Sequence, residues 1–208
     1  MRSVLLLDLG NVVAFFDHGR ACEALARLSR PAVTADVIHA GIFATGLEAD
    51  FDRGLVTPAA FLAALRTWCP DATDAELAHA WSDIFRPNPA VVDQLPDLRR
   101  RSSRLVLASN TNALHVAELR RTLGAVLGLF DAHVLSFEVG EAKPSPRFFD
   151  ACLAAAGARA SDCVFVDDTP AYVAAAGARG IAGVVYAPGV VLPEALGEAG
   201  WGGATTRA

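Results

Sequence analysis

Four stretches of this 208-residue chain carry groups that could do chemistry together. "VLLLDLGNVV" (4–13) drives one acid, Asp8, to the end of an apolar run, and "RLVLASN" (104–110) stops at Ser109 and Asn110. "CVFVDD" (163–168) stops at Asp167 and Asp168, and "GEAKPSP" (140–146) carries Lys143. Three carboxylates in one crevice repel: at ~4 Å and an effective dielectric near ~20, each close pair costs about 4 kcal/mol. They call for a cation, and an all-oxygen ligand set suits Mg²⁺. Lys143 adds positive charge, and a metal, a lysine and loop N–H groups together make a site for a phosphate dianion. Singly, each residue has an ordinary reading. A terminal Asp is a turn or cap residue, Asp167 and Asp168 can cap a helix near Pro170, Ser109-Asn110 is loop chemistry, and Lys143 is a solvated side chain. Only their joint placement argues for a site.

That placement depends on a sheet. The runs 3–9, 104–110, 163–168 and 183–188 are apolar without alternation, as expected of parallel strands covered on both faces, and 132–136 is a weaker fifth. Helical patterns follow at 112–124, which ends at Gly124 as a suitable C-cap, at 145–157, which opens Ser-Pro and closes on Gly, and at 170–180. The alternation predicts an α/β fold: a Rossmann-like parallel sheet of about five strands with helices on both faces. Ligands of such sheets bind at the carboxyl ends of the strands, where the four stretches would converge. Residues 18–85 instead show helical periodicity and no convincing strand, with Thr57 and Thr73 as N-caps. We therefore expect an α/β core at 1–16 and 87–208, and a small all-helical cap at 17–86, inserted after strand one. The glycine-rich tail from 200 is expected to fray.

Composition narrows the partners. Hydrophobic residues make up 53% and charged residues 20%, which describes an ordered globular chain. A net charge of −5 argues against nucleic acid as a partner. The one dense basic run, "RRRSSR" (99–104), reads as a solvated helix end. Cys22, Cys69, Cys152 and Cys163 lack metal-ligand spacing and are expected as buried reduced thiols of a cytoplasmic protein. The N-terminal run is too short and too interrupted for a membrane span or a signal peptide. Nothing distinguishes a monomer from a homodimer.

The motifs "LLLDLGNVV", "LVLASNTNALH", "GEAKPSPRFF" and "VFVDDTP" resemble, in order, the four motifs of the haloacid dehalogenase-like (HAD) hydrolase superfamily. "LEADFDRGLVTPAAFLAAL" (47–65) is similar to the helical cap of one subgroup, small phosphatases that include α-D-glucose 1-phosphate phosphatases. The resemblance implies a phosphomonoester hydrolase acting on a small phosphorylated metabolite such as a sugar phosphate. Asp8 would be the nucleophile that forms an aspartyl-phosphate. Ser109, Asn110, Lys143 and Asn11 would contact substrate, and Asp8, the Gly10 carbonyl, Asp167 and Asp168 would hold Mg²⁺.

The sequence departs from the family pattern at Gly10, where most family phosphatases carry an acid that protonates the leaving group. Losing such help typically costs ~10²–10⁴ in rate. The substrate's leaving group could be activated, Asp17 or His18 could substitute, or the protein could be a weak or inactive binding protein, a reading Ala171 also suits. A carbon–halogen hydrolase of the same superfamily is a further alternative, since it needs neither metal nor acid. Phe15, Phe16, Phe43, Phe51 and Trp81 could line a pocket, although aromatics at helical spacing are commonly core.

Overall fold

The computed structural model describes residues 2–29 and 33–202. Five strands form one parallel sheet: β1 (Val4–Leu7), β4 (Arg104–Ser109), β5 (Ala132–Leu135), β6 (Cys163–Asp167) and β7 (Ala182–Val185), in the order β5-β4-β1-β6-β7. All five sequence runs are strands. β1 lies in the centre, pairing Leu7 with Leu107 on one side and with Val166 on the other. Successive side chains of a strand point to opposite faces. Leu5 and Leu7 accordingly join one apolar cluster with Leu95, Leu98, Val116, Leu119 and Leu196. Val4 and Leu6 join another with Phe148, Phe149, Cys152 and Phe165. With both faces of the central strands covered, a ligand can reach them at the rim where they end. The chain leaves β1 towards β4 on one side and returns to β6 on the other, so the crevice opens at the end of β1.

A second, smaller sheet lies between β1 and β4. β2 (Ala14–Phe16) pairs antiparallel with β3 (Phe85–Pro87), Phe16 opposite Phe85. This corrects the expectation of no strand near residue 85: three-residue strands carry too few residues to show a period. Between β2 and β3 run α1 (His18–Leu28), α2 (Ala35–His39), a π-helical turn at Ala40–Ala44, α3 (Leu47–Asp52), α4 (Pro58–Leu65) and α5 (Asp74–Ser82). Thr57 and Thr73 cap α4 and α5 by accepting from Ala60 N and Glu76 N, and Glu76 returns a bond to Thr73 N. The helices bury their own core around Leu25, Phe51, Phe61, Leu65 and Trp81, with Phe43 packed against it. Phe43, Phe51 and Trp81 therefore belong to that core.

The remaining helices flank the sheet: α6 (Pro89–Val92), α7 (Leu95–Arg101), α8 (Ala113–Thr122), α9 (Gly124–Leu127), α10 (Ser136–Val139), α11 (Pro146–Ala156), α12 (Pro170–Ala178) and α13 (Leu192–Glu198). α11 opens and closes as its sequence predicts, with Gly157 in the left-handed region at φ 61°. Gly124 does not cap α8. That helix ends at Leu123, whose N–H bonds Leu119 O, and Gly124 opens α9. The start of the tail is held: Gly202 N donates to Arg2 O, and Trp201 is buried under the Arg101 guanidinium. The rest of the tail, 203–208, lies outside the described residues. Arg99, Arg100 and Arg101 lie in the last turn of α7, paired with Asp131 and Asp97. All four cysteines are free and buried. Among the described residues no helix is long and apolar enough to cross a membrane.

Candidate active site

Asp8 is the first residue past β1, and its N–H is fixed by Val166 O at 2.9 Å. The sheet register therefore sets Asp8 beside the end of β6, where Asp167 and Asp168 follow. Lys143 arrives from the loop after α10 and is buried between them. Its Nζ donates to Asp8 Oδ1 and to Asp167 Oδ2, both at 2.6 Å. Burial pulls the Lys143 ammonium down, but the two carboxylates outweigh it and hold it above its ordinary value. Burial pushes the Asp8 carboxyl up, to about 7, with Lys143 opposing and Asp167 reinforcing the rise.

The loops hold these groups in place. Asn110 clamps the Lys143 backbone, its amide donating to Lys143 O at 3.0 Å and its Oδ1 accepting from Lys143 N at 2.8 Å. Asn11, at φ 55°, donates to Asp168 Oδ2 at 2.9 Å. Asp167 Oδ1 accepts from Thr169 N at 2.8 Å. The side chains of Asn110 and Asn11, expected on the substrate, are thus engaged in aiming Lys143 and Asp168. Ser109 is buried at the end of β4 with its hydroxyl on Asn110 O, at the cavity wall.

Oxygens of Asp8, Asp167 and Asp168 lie within 4.8 Å of one another. Three carboxyl groups converge here on a single ammonium, so acceptor oxygens outnumber the positive charge. An all-oxygen set with that deficit fits a hard divalent cation such as Mg²⁺.

A family model for haloacid dehalogenase-like hydrolases matches residues 20–180, most of the chain. The chain belongs to this family. As a HAD-like hydrolase it is 26% identical over 171 residues to D-ribitol-5-phosphate phosphatase of Bacteroides thetaiotaomicron, covering 79% of this chain and 82% of that protein. A HAD family enzyme of the same organism, solved with magnesium and inorganic phosphate, superposes with a TM-score of 0.80 at 25% identity, over 91% of this chain and 96% of the other. A HAD-like hydrolase from Porphyromonas gingivalis shares the fold at a TM-score of 0.79 and 23% identity, over 95% and 97% of the two chains.

The hydrolase has a cavity of about 520 Å³ over Asp8, Ser109, Lys143 and Asp168. Its opposite wall comes from the inserted helices and the small sheet: Phe16, His18, Glu48, Asp52, Arg53 and Phe85. Of the two groups considered in place of an acid at Gly10, Asp17 is exposed, caps α1 by accepting from Gly19 N, and does not line the cavity. His18 does line it, but burial pulls the imidazole down to about 4, so the ring is neutral at pH 7. It stacks on Trp81 and His115, with centroids at 5.7 and 6.0 Å. A Cβ at Gly10 would lie 2.8 Å from Phe16 Cε1, so a side chain there requires the partly exposed Phe16 ring to shift. The ring of Phe16 covers the place where the family's acid would begin.

Glu48 and Asp52 were not singled out from the sequence. They stand four residues apart, on one face of α3. Their carboxyl groups hydrogen-bond each other. Asp52 Oδ1 also accepts from Asn112 Nδ2 at 2.8 Å, which ties α3 to the loop after β4. Burial, then the Glu48 charge, push the Asp52 carboxyl up to about 8, and burial also raises Glu48. The i, i+4 acid spacing was visible, but not the wall it faces.

Proposed function

We propose that this HAD-like hydrolase is a Mg²⁺-dependent phosphomonoesterase acting on a small phosphorylated metabolite, a sugar or sugar-alcohol phosphate. The observation that carries this reading is Lys143 held at 2.6 Å from both Asp8 and Asp167 at the floor of a cavity large enough for such an ester. The phosphatase relative and the magnesium- and phosphate-bound relative support it. In this reading residues 17–86 are the cap that closes over substrate, and the four free thiols suit a reducing, cytoplasmic setting.

An Asp8 oxygen attacks phosphorus, the P–O bond to the alcohol breaks, the leaving oxygen takes a proton from solvent water because position 10 offers no side-chain acid, and an aspartyl-phosphate forms. Water then attacks that phosphorus and gives a proton back to solvent, releasing phosphate and regenerating the carboxylate. Lys143 and the Ser109 hydroxyl offset charge on the transferring group. Asp8, Asp167, Asp168 and the Gly10 carbonyl would hold Mg²⁺, which when bound supplies Lewis-acid stabilisation of the phosphoryl oxygens. Asn110 and Asn11 act as positioning residues, through Lys143 and Asp168.

The test is phosphate release from a panel of phosphomonoesters with Mg²⁺. Wild type should turn over, EDTA should abolish the activity, and Mg²⁺ should restore it. Asp8→Asn should lower kcat/KM by on the order of 10³-fold or more. Turnover of 2-haloacids that survives EDTA would overturn the reading in favour of a dehalogenase. Equal behaviour of wild type and Asp8→Asn on every ester would overturn enzyme function.

A further inference from the structure

Tyr172 lies in the first turn of α12, on the core side of the cavity, and lines it together with Lys143, Asn110 and Asp168. The face of its ring covers the Lys143 ammonium, with Nζ 5.4 Å from the ring centroid. Phe165, buried in β6, closes on the same ammonium at 5.5 Å. An ammonium within about 6 Å of a ring centroid is attracted to the ring face. Lys143 Nζ is also 2.6 Å from Asp8 Oδ1, so the Tyr172 ring is fixed next to the nucleophile. The phenol end is held as well. Burial raises the phenol above its ordinary value, against Lys143 and a hydrogen bond from the Asn110 side chain, so its proton is in place at neutral pH. The Asn110 contact favours the phenolate, which makes Asn110 the donor and the phenol oxygen the acceptor. The phenol's own O–H is then left to donate. Asn110 directly follows Ser109 in the chain, and Ser109, Lys143 and Tyr172 all line the cavity over Asp8.

Resting on the phosphomonoesterase reading above, we propose that Tyr172 is a further catalytic residue: its O–H donates to an oxygen of the transferring phosphoryl group, as a third donor beside the Ser109 hydroxyl and the Lys143 ammonium. An ester with phosphorus over Asp8 sets its phosphoryl oxygens against this core-side wall and its alcohol half against the inserted helices. A donor on the core side serves the group that every substrate shares, so its contribution is the same whichever alcohol leaves. Donors aimed at charge that develops in the transition state act most strongly where water is excluded. The Tyr172 ring supplies that condition by covering the ammonium.

Tyr172→Phe tests this, because it removes one hydroxyl and keeps the ring over Lys143. Two esters are compared at equal Mg²⁺: 4-nitrophenyl phosphate, whose phenol leaves readily, and propyl phosphate, whose alkoxide leaves poorly. Tyr172→Phe should lower kcat/KM about tenfold or more on both, with the ratio between the esters unchanged to within about threefold. Activity within about threefold of wild type on both esters overturns the proposal, because the ring alone then suffices. A loss confined to one ester also overturns it; confined to propyl phosphate, it places the phenol on the leaving oxygen. Wild type supplies a second measurement should Tyr172→Phe fail to fold. The chain has two tyrosines, and Tyr186 is buried. Tetranitromethane should therefore nitrate Tyr172, read by mass spectrometry, and inorganic phosphate with Mg²⁺ should protect it. An equal extent of nitration with and without phosphate overturns the contact. Each of these failures leaves the phosphomonoesterase reading standing. Absence of wild-type turnover of every ester, including the panel used above, overturns that reading and the role of Tyr172 with it.

Discussion

Two walls of one cavity bury carboxylates by opposite means. On the core side, Asp8 and Asp167 are kept as acceptors by a buried ammonium that touches both. On the side of the inserted helices, no ammonium touches Glu48 or Asp52, and burial raises both carboxyl groups. Sequence position does not separate these acids, since each lies beside apolar residues. What separates them is which elements converge. At the rim of the sheet the end of β1, the end of β6 and the Lys143 loop meet, and opposite charges can be brought into register. A single face of α3 offers only like charges to each other. One wall thus brings a cation between its acids, as an anion and its metal require, and the other does not.

The comparison can be broken most severely at Lys143. Lys143→Met leaves two buried carboxylates without their partner, and should lower unfolding free energy by about 3–5 kcal/mol as well as abolish turnover. Urea titration followed by circular dichroism measures the first effect. If stability is unchanged, the ammonium does not hold the core-side acids together.

A smaller effect is expected from adding an acid to the core side. Gly10→Asp should not raise activity, because Phe16 occupies the approach to that position. Moving the ring should cost about 1–3 kcal/mol, the usual range for overpacking. A gain in kcat on an alkyl phosphate would show that the ring yields easily.

The mildest change sharpens the other wall. Asp52→Asn keeps an acceptor for Asn112 and gains a donor for Glu48. Asp52 has a folded pKa of about 8 against an ordinary 3.8, so between these values the folded protein binds a proton that the unfolded chain does not. Stability of wild type should fall as pH rises through that window. Glu48 on the same helix and the neighbouring Arg53, held by Asp50, line the same cavity and share this environment. Relative to wild type, Asp52→Asn should therefore gain stability as pH rises between these two values, by at most ~1.4 kcal/mol per pH unit, read as a rising difference in Tm. A constant difference between pH 5 and 9 would mean that Asp52 is ionised throughout.

Much of this molecule could be read in its residues alone. Four apolar runs and a weaker fifth specified five parallel strands, most clearly the buried β1, β4 and β6, because a strand covered on both faces tolerates few polar side chains. The acids and the lysine at the ends of those runs and in the following loops pointed to one rim. The caps at Thr57 and Thr73 and the Ser-Pro to Gly span of α11 were legible because capping is local chemistry. Other features were decided by tertiary contact. The β2–β3 pair is too short to show a period, and Gly124 opens α9 although its residue type suits a C-cap. Asn110 and Asn11 bond the Lys143 backbone and Asp168 because β1, β4 and β6 set their loops side by side. Phe16 came to cover Gly10 through the pairing of β2 with β3. The carboxyl groups of Glu48 and Asp52 are raised only because packing removes water from two acids on one helical face. Local patterns specify strands, caps and the identity of the charged groups. Charge state and partner choice depend on burial and on which distant segments meet, and neither is a property of a short stretch of sequence.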